Sequence, residues 1–141
     1  MNARPLTGKQ KRSLNVLCID DDAQILEMLK ACLTTYGHQV QLASGGNRGI
    51  NLFNAAIQKS EPYDVVITDL RMPDVTGCDV AQAIKIESPS TPVVLLTAWG
   101  STVKDDATIV STVDAVLGKP PRMQELNDLL LRLAGQAVGL I

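Results

Sequence analysis

The sequence has few aromatic residues, little net charge and no paired cysteines. Phe, Trp and Tyr make up 3% of the 141 residues, and the formal net charge is -2. The three cysteines, Cys18, Cys32 and Cys78, form no CxxC motif, which favours a reducing setting. The charge balance gives no basis for binding nucleic acid or an anionic membrane surface, and no apolar run could span a bilayer. We therefore predict a cytoplasmic globular protein that binds neither nucleic acid nor membrane.

The two ends of the chain differ in composition from the rest. Residues 1–12 are polar and basic, without apolar periodicity and without the apolar core of a signal peptide. We expect a disordered leader or linker there, one folded domain over residues 13–135, and a short tail at 136–141.

From residue 14 onward, apolar runs of strand length alternate with segments of helical periodicity. The run "LNVLCID" at 14–20 is almost continuously apolar, as in a strand buried on both faces. The segment "AQILEMLKACLTTYG" at 23–37 has apolar residues at helical spacing and ends on a glycine. The same alternation predicts strands at 14–20, 38–43, 63–69, 93–98 and 113–118, and helices at 23–37, 47–59, 78–87, 101–110 and 122–135.

Regular strand–helix alternation is typical of a doubly wound α/β fold, with a parallel sheet covered by helices on both faces. Right-handed crossovers leave few topologies for five strands, and the flavodoxin-like order 2-1-3-4-5 is the common one at this size. We therefore predict a five-stranded parallel sheet in this order with five helices. Ligands of such sheets bind outside the carboxyl ends of the strands.

Acidic, hydroxyl and ammonium side chains follow four of the five predicted strands. They are Asp20, Asp21 and Asp22 after the first strand, Asp69 after the third, Thr97 in the fourth and Lys119 after the fifth. Crowded carboxylates repel one another unless a cation compensates them, and Mg²⁺ prefers oxygen ligands of this kind. An ammonium and a hydroxyl suit the oxygens of a phosphoryl group, and an aspartate can itself be the nucleophile. The set therefore indicates phosphoryl transfer to a carboxylate.

Each of these residues also has an ordinary structural role. Asp22 is best explained as the N-cap of the following helix. Asp69 could begin a turn, Thr97 could be a β-branched strand residue, and Lys119 could be a solvated surface charge. Their joint occurrence at one edge of one sheet is what favours the functional interpretation.

Four motifs occur in order and in register with the predicted strands: "CIDDD", "VVITDLRMPDVTG", "VVLLTA" and "LGKPP". Through them, residues 14–134 resemble the receiver domain of a bacterial two-component response regulator. The resemblance implies the five-stranded doubly wound fold already predicted from the alternation.

By this resemblance, four residues bind metal or accept phosphate. Asp20 and Asp21 match the acid pair that binds Mg²⁺, and Asp69 matches the phosphorylated aspartate, which is also a metal ligand. The backbone carbonyl of Arg71 would complete the set of protein ligands.

Five further positions match residues that surround the phosphoryl group in this family. Thr97 matches the hydroxyl residue that contacts it, and Ala98 the small residue that leaves room for it. Lys119 matches the lysine that pairs with the phosphate, and its bond to Pro120 is expected to be cis. Gly77 matches the glycine of the loop after the phosphorylation site.

Three features depart from the family pattern. Val116 occupies the position of the aromatic residue that usually couples to the threonine, so we expect a readout of activation that differs from the usual one. Pro121 stands where the family often has Phe. Arg71 and Trp99 are large residues two positions beyond the acceptor aspartate and two beyond the threonine, and we expect them to shield the phosphoryl group from water and slow self-dephosphorylation.

The predicted function is that of a phosphorylation switch. A histidine kinase or a phosphotransfer protein would donate a phosphoryl group to Asp69, and the change would spread to the surface formed by residues 101–134. The sequence is compatible either with a stand-alone receiver or with a receiver covalently linked to a kinase or output domain in a longer protein. We expect no turnover of a small substrate, only Mg²⁺-dependent self-phosphorylation from a phosphodonor and slow self-dephosphorylation.

Other functions of the same fold fit the sequence less well. A pseudo-receiver, which would bind proteins independently of phosphorylation, usually lacks some of the acids or the lysine, whereas this chain has them all. Phosphohydrolases with an aspartate nucleophile usually need a second aspartate where this chain has Arg71. A flavin carrier would need stacking aromatic residues that are scarce here.

Overall fold

The computed structural model describes residues 13–138, which contain one five-stranded parallel sheet. The strands are β1 (Asn15–Ile19), β2 (Gln39–Ala43), β3 (Val65–Thr68), β4 (Val93–Thr97) and β5 (Ala115–Gly118). Their order across the sheet is β2-β1-β3-β4-β5, which confirms the predicted fold class and strand order. The strand order reverses between β1 and β3, the position at which doubly wound sheets bind ligands.

Helices connect and cover the strands: α1 (Ala23–Thr35), α2 (Gly46–Gln58), α3 (Gly77–Glu87), α4 (Gly100–Val103), α5 (Ala107–Thr112) and α6 (Met123–Val138). Asp22 is the N-cap of α1, since its carboxylate accepts the Gln24 N–H at 2.9 Å. The expected structural role of Asp22 is thereby confirmed. At α3, Thr76 and Asp79 form a reciprocal capping box.

The apolar core consists of two layers, one on each face of the sheet. One layer packs under α1 and α6 and includes Leu29 and Leu130, while the other packs under α2 and α3 and includes Phe53 and Ile84. Cys18 lies in the first layer and is fully buried, where it packs as a small apolar residue. Burial, with the charge of Asp20 as a second cause, raises the pKa of this thiol to about 12.

The structure differs from the predicted elements between β4 and β5. In place of one helix over 101–110 there are two short helices, α4 and α5. The carboxylate of Asp106 accepts the backbone N–H groups of Thr108 at 3.0 Å and Ile109 at 3.2 Å. Because aspartate favours this capping position over a helix interior, a new helix begins after it.

At the ends, the predicted leader over 1–12 lies outside the described residues, and α6 continues through Val138, beyond the predicted end at 135. Among the helices of residues 13–138, none is both apolar and long enough to cross a membrane.

Candidate functional site

Two buried aspartates lie side by side at the carboxyl ends of the central strands. The Asp20 N–H donates to the Ala43 carbonyl at 3.1 Å, and the Asp69 N–H donates to the Ile19 carbonyl at 2.9 Å. These bonds extend the strand ladder by one residue beyond β1 and β3, which are neighbours in the sheet. The backbone thus holds two carboxylates together at the edge where the sequence predicts a site.

Lys119 joins the two carboxylates. Its Nζ atom lies 2.7 Å from Asp20 Oδ2 and 3.2 Å from Asp69 Oδ1. The lysine is held in place by its own backbone, since the Lys119 N–H donates to the Thr97 carbonyl at 2.9 Å. The bond from Lys119 to Pro120 is cis, as the resemblance predicted. Three strand ends therefore contribute to one cluster of charges.

The environment shifts the pKa values of both Asp69 and Lys119 upward. Burial is the main cause at Asp69 and the charge of Asp20 adds to it, while Lys119 and the Leu70 N–H oppose the shift. At Lys119, burial alone would lower the pKa, but the hydrogen bonds and charges of Asp20 and Asp69 together outweigh it. The ammonium is thus the positive charge that opposes the rise in the pKa of Asp69.

The donor atoms at this edge suit a hard divalent cation. Carboxylate oxygens of Asp20, Asp21 and Asp69 all lie within 4.8 Å of one another, and Asp21 is exposed to solvent while the other two are buried. An all-oxygen set with one face open to water is the kind of site that Mg²⁺ occupies, because it retains several water ligands. The residues present therefore fit the predicted ion.

Thr97 is placed close to this cluster but makes a different contact. Its side chain is buried at the end of β4, and its hydroxyl accepts the Trp99 N–H at 3.2 Å. Ala98, which follows it, is exposed. Thr97 lies on the strand next to β3 in the sheet, as the prediction requires, and its hydroxyl hydrogen remains available to a further acceptor.

Two hydrogen bonds hold the start of the loop between β3 and α3 next to Asp69. The Leu70 N–H donates to Asp69 Oδ1 at 2.9 Å, and the Gly77 N–H donates to the Leu70 carbonyl at 2.8 Å. A Cβ atom at Gly77 would lie 2.3 Å from the Asp69 carbonyl oxygen and 2.7 Å from Leu95 Cδ1. The structure thus gives a physical reason for the glycine, which the sequence indicated only through the family resemblance.

Two large side chains meet beside the site. The Arg71 guanidinium carbon lies 5.9 Å from the centroid of the Trp99 ring, within the range of a cation–π contact. Trp99 is 55% exposed. Arg71 and Trp99, which we expect to shield the phosphoryl group, are therefore in contact with each other.

One residue of this region, Asp74, is not among the site residues predicted from the sequence. Its carboxylate accepts backbone N–H groups from Gly46, Asn47 and Val75 and so joins the β3–α3 loop to the start of α2. The available signal was weak, an aspartate in a turn and a pair of glycines nearly thirty residues earlier. Without the fold, neither the aspartate nor the two glycines predict that these two segments are in contact.

Comparison with known proteins agrees with this fold and this cluster of side chains. The family model described as "Response regulator receiver domain" matches residues 16–131. The chain belongs to this family, whose members are the receiver domains of two-component systems.

Individual relatives support the same assignment. The transcriptional regulatory protein GlrR of Escherichia coli is 35% identical over 106 residues, which are 75% of this chain and 23% of GlrR. A response regulator receiver domain protein from Clostridium thermocellum has a TM-score of 0.80 at 29% identity, with 91% of this chain and 99% of that one covered. The Thermotoga maritima response regulator TrrA, solved in complex with Mg²⁺ and BeF, has a TM-score of 0.73 at 28% identity, covering 85% and 98%. The chain spans less than half the length of the curated relatives it matches.

Proposed function

We propose that this receiver domain accepts a phosphoryl group on Asp69 from the phosphohistidine of a kinase or phosphotransfer protein, and that the product alters its interaction surface. The observation that carries the proposal is the contact of one ammonium, Lys119, with two buried carboxylates at the switch point of the sheet. Such a cluster is costly to bury. A site that binds a cation and a phosphoryl group would require such a cluster.

The two oxygens of Asp69 differ in their contacts, which supports separate tasks for them. Oδ1 is engaged by the Leu70 N–H and by Lys119, whereas Oδ2 has no hydrogen bond to the described part of the chain. Oδ2 would attack phosphorus, forming a P–O bond as the P–N bond to the donor histidine breaks and the histidine keeps the electron pair.

Mg²⁺ held by Asp20, Asp21, Asp69 and the Arg71 carbonyl would neutralise the oxygens of the transferring group when bound. Lys119 is already within reach of Asp69, and its ammonium would pair with the new phosphate. The Thr97 hydroxyl would donate to a phosphoryl oxygen while it continues to accept the Trp99 N–H. The domain would act as a switch and not as a turnover enzyme.

The readout of the switch would not use an aromatic side chain at position 116, because this residue is a valine. Val116 packs on the core layer under α2 and α3. A backbone contact offers another route. A Cβ atom at Gly100 would lie 2.8 Å from the Gly118 Cα, so the first residue of α4 touches the strand end that carries Lys119. A shift of Lys119 towards a phosphate would reach α4 and the surface formed by α4, α5, β5 and α6 through this contact.

The phosphoryl lifetime depends on how well water is excluded from Asp69. We predict that Arg71→Ala and Trp99→Ala each shorten the half-life of the phosphorylated protein several-fold, because each removes one partner of the stacked pair beside the site. The half-life is measured after the phosphodonor is removed, with Arg48→Ala on the exposed face of α2 as the control. Half-lives equal to that of the wild type in both variants would contradict the shielding role.

The proposed function is tested by intact mass after treatment with acetyl phosphate, with and without Mg²⁺. We expect the wild-type protein to gain one phosphoryl group only when Mg²⁺ is present. Asp69→Asn should gain none, while Asp64→Asn, which alters a carboxylate bonded to the Asn15 N–H at the opposite end of the sheet, should behave as the wild type. An Asp69→Asn protein that is still modified, or a wild-type protein that is never modified by acetyl phosphate or by a phosphohistidine donor, would favour the pseudo-receiver alternative.

A further inference from the structure

The β3–α3 loop, residues 70–76, carries the backbone carbonyl of Arg71 that the proposed function assigns to the metal. The loop is fixed next to Asp69 by the Leu70 N–H bond to Asp69 Oδ1 and by the Gly77 N–H bond to the Leu70 carbonyl. Both bonds are at the base of the loop. Arg71 directly follows this base, and a further attachment must hold the part of the loop that continues beyond it.

Asp74 provides that second attachment. Its Oδ1 atom accepts the Gly46 N–H at 3.2 Å and the Val75 N–H at 2.8 Å, and its Oδ2 atom accepts the Asn47 N–H at 2.9 Å. The N-cap residue of α2 is Gly45, which has no side chain to cap the helix. A residue of the β3–α3 loop therefore satisfies the free N–H groups at the start of α2.

The glycines before and in α2 allow this close approach. A Cβ atom at Gly46 would lie 2.2 Å from Val75 Cγ2, and one at Gly45 would lie 3.3 Å from Asp74 Oδ2. The hydrogen bonds from Asn47 and Val75 also lower the pKa of Asp74, so the capping carboxylate is ionised at neutral pH. A negative charge at this position is favoured by the partial positive charge of the helix N-terminus.

We propose that Asp74 is a positioning residue for the metal site: it holds the β3–α3 loop against α2 so that the Arg71 carbonyl stays where the cation needs it. Arg71 follows Asp69 by two residues and precedes Asp74 by three, so its backbone is held from both sides. The inference rests on the proposed function, because it assumes that Mg²⁺ binds at Asp20, Asp21 and Asp69.

Loss of this attachment should weaken metal binding without removing a ligand. Asp74→Ala keeps the hydrogen bonds at Leu70 but loses those that join the loop to α2. We expect the Kd for Mg²⁺ to rise about tenfold, which is typical when a residue that supports a metal ligand is removed. Asp74→Asn keeps one acceptor oxygen and should fall between the wild type and Asp74→Ala. At saturating Mg²⁺, the rate of phosphorylation by acetyl phosphate should return to near the wild-type value, because the ligands themselves are intact.

The test is a Mg²⁺ titration of the full chain at constant ionic strength, followed by calorimetry and by the fluorescence of Trp99, the only tryptophan. Asp106→Ala is the matched control, since Asp106 caps α5 with two backbone N–H bonds in the same way. Urea unfolding should show comparable loss of stability in Asp74→Ala and Asp106→Ala, while only Asp74→Ala binds Mg²⁺ more weakly.

Two results would overturn the inference. Either both Asp74 variants bind Mg²⁺ with the wild-type Kd, or Asp106→Ala weakens binding as much as Asp74→Ala does. A wild-type protein that binds no Mg²⁺, or an Asp20→Asn variant that binds it with unchanged affinity, would instead overturn the proposed function, and the role of Asp74 with it.

Discussion

Replacing Lys119 with alanine is expected to lower the free energy of unfolding of the metal-free protein by about 1 to 3 kcal/mol, because two buried carboxylates lose a partner that is itself partly buried. The ammonium is the cation that contacts both buried carboxylates, at 2.7 Å from Asp20 and 3.2 Å from Asp69. Without it, two adjacent acids remain at the sheet edge with no positive charge between them. The loss is measured by urea unfolding.

The same substitution should increase the affinity for Mg²⁺, because Lys119 and the metal compete for the same carboxylates. Added Mg²⁺ should therefore restore much of the lost stability, since a ligand that binds only the folded state stabilises it. Phosphorylation should nevertheless slow, because the phosphate loses its ammonium partner. Lys85→Ala is the control: its Nζ atom is also 2.7 Å from a carboxylate, that of Asp114. A Lys119→Ala protein whose stability responds to Mg²⁺ no more than that of Lys85→Ala would contradict the account.

The pH dependence of the Lys119→Ala effect has a definite sign. The pKa of Asp69 is raised by burial and by Asp20 even with the lysine present, and losing the ammonium should raise it further. An acid whose pKa is higher in the folded protein than in the unfolded one binds its proton more tightly when folded, so stability falls as the pH rises towards the folded-state pKa. The substitution should thus cost more at neutral pH than in mildly acidic buffer.

Replacing Gly77 with alanine adds only one carbon atom, but we expect it to disturb the backbone at this site. The added Cβ would lie 2.3 Å from the Asp69 carbonyl oxygen and 2.7 Å from Leu95 Cδ1. Since the Asp69 carbonyl belongs to the backbone and cannot rotate away, α3 or the end of β3 must shift. Overpacking of this kind costs about 1 to 3 kcal/mol, and we also expect phosphorylation to slow because Asp69 itself is displaced.

Gly135 provides the matched control for Gly77. It lies within α6, and a Cβ atom there would meet nothing within 4 Å. Alanine is favoured over glycine in a helix by roughly 0.5 to 1 kcal/mol, so Gly135→Ala should raise the unfolding midpoint while Gly77→Ala lowers it. Equal effects of the same sign would show that the space around Gly77 is not what restricts it.

Much of the fold could be predicted from the sequence because its signals are local. The apolar runs of β1, β3 and β4 reflect strands covered on both faces, and the order of strands follows from connection rules that do not depend on the particular side chains. Once the sheet is assumed, the carboxyl-edge rule brings Asp20, Asp69 and Lys119 together. The cluster was therefore predictable from strand ends alone.

The remaining features could not be predicted from apolar periodicity and strand ends, for two different reasons. The break between α4 and α5 arises because Asp106 caps a new helix, in competition with the helical periodicity of 101–110. The bond from Asp74 to α2 depends on two glycines that let separate loops approach each other. The first is a local competition between a helix cap and helical periodicity, whereas the second is a tertiary contact that becomes visible only in the folded chain.

In the proposed switch, Asp69 is the residue that carries the phosphoryl group. An acyl phosphate is reduced by borohydride to the alcohol, which leaves a permanent mark on the modified side chain. The most direct measurement is therefore borohydride trapping of the protein treated with acetyl phosphate and Mg²⁺, followed by peptide mass spectrometry. We predict homoserine at position 69 and at no other aspartate, and only when Mg²⁺ is present. Homoserine at Asp20 or Asp21, or its absence from every position in a protein that has gained a phosphoryl group, would contradict the account.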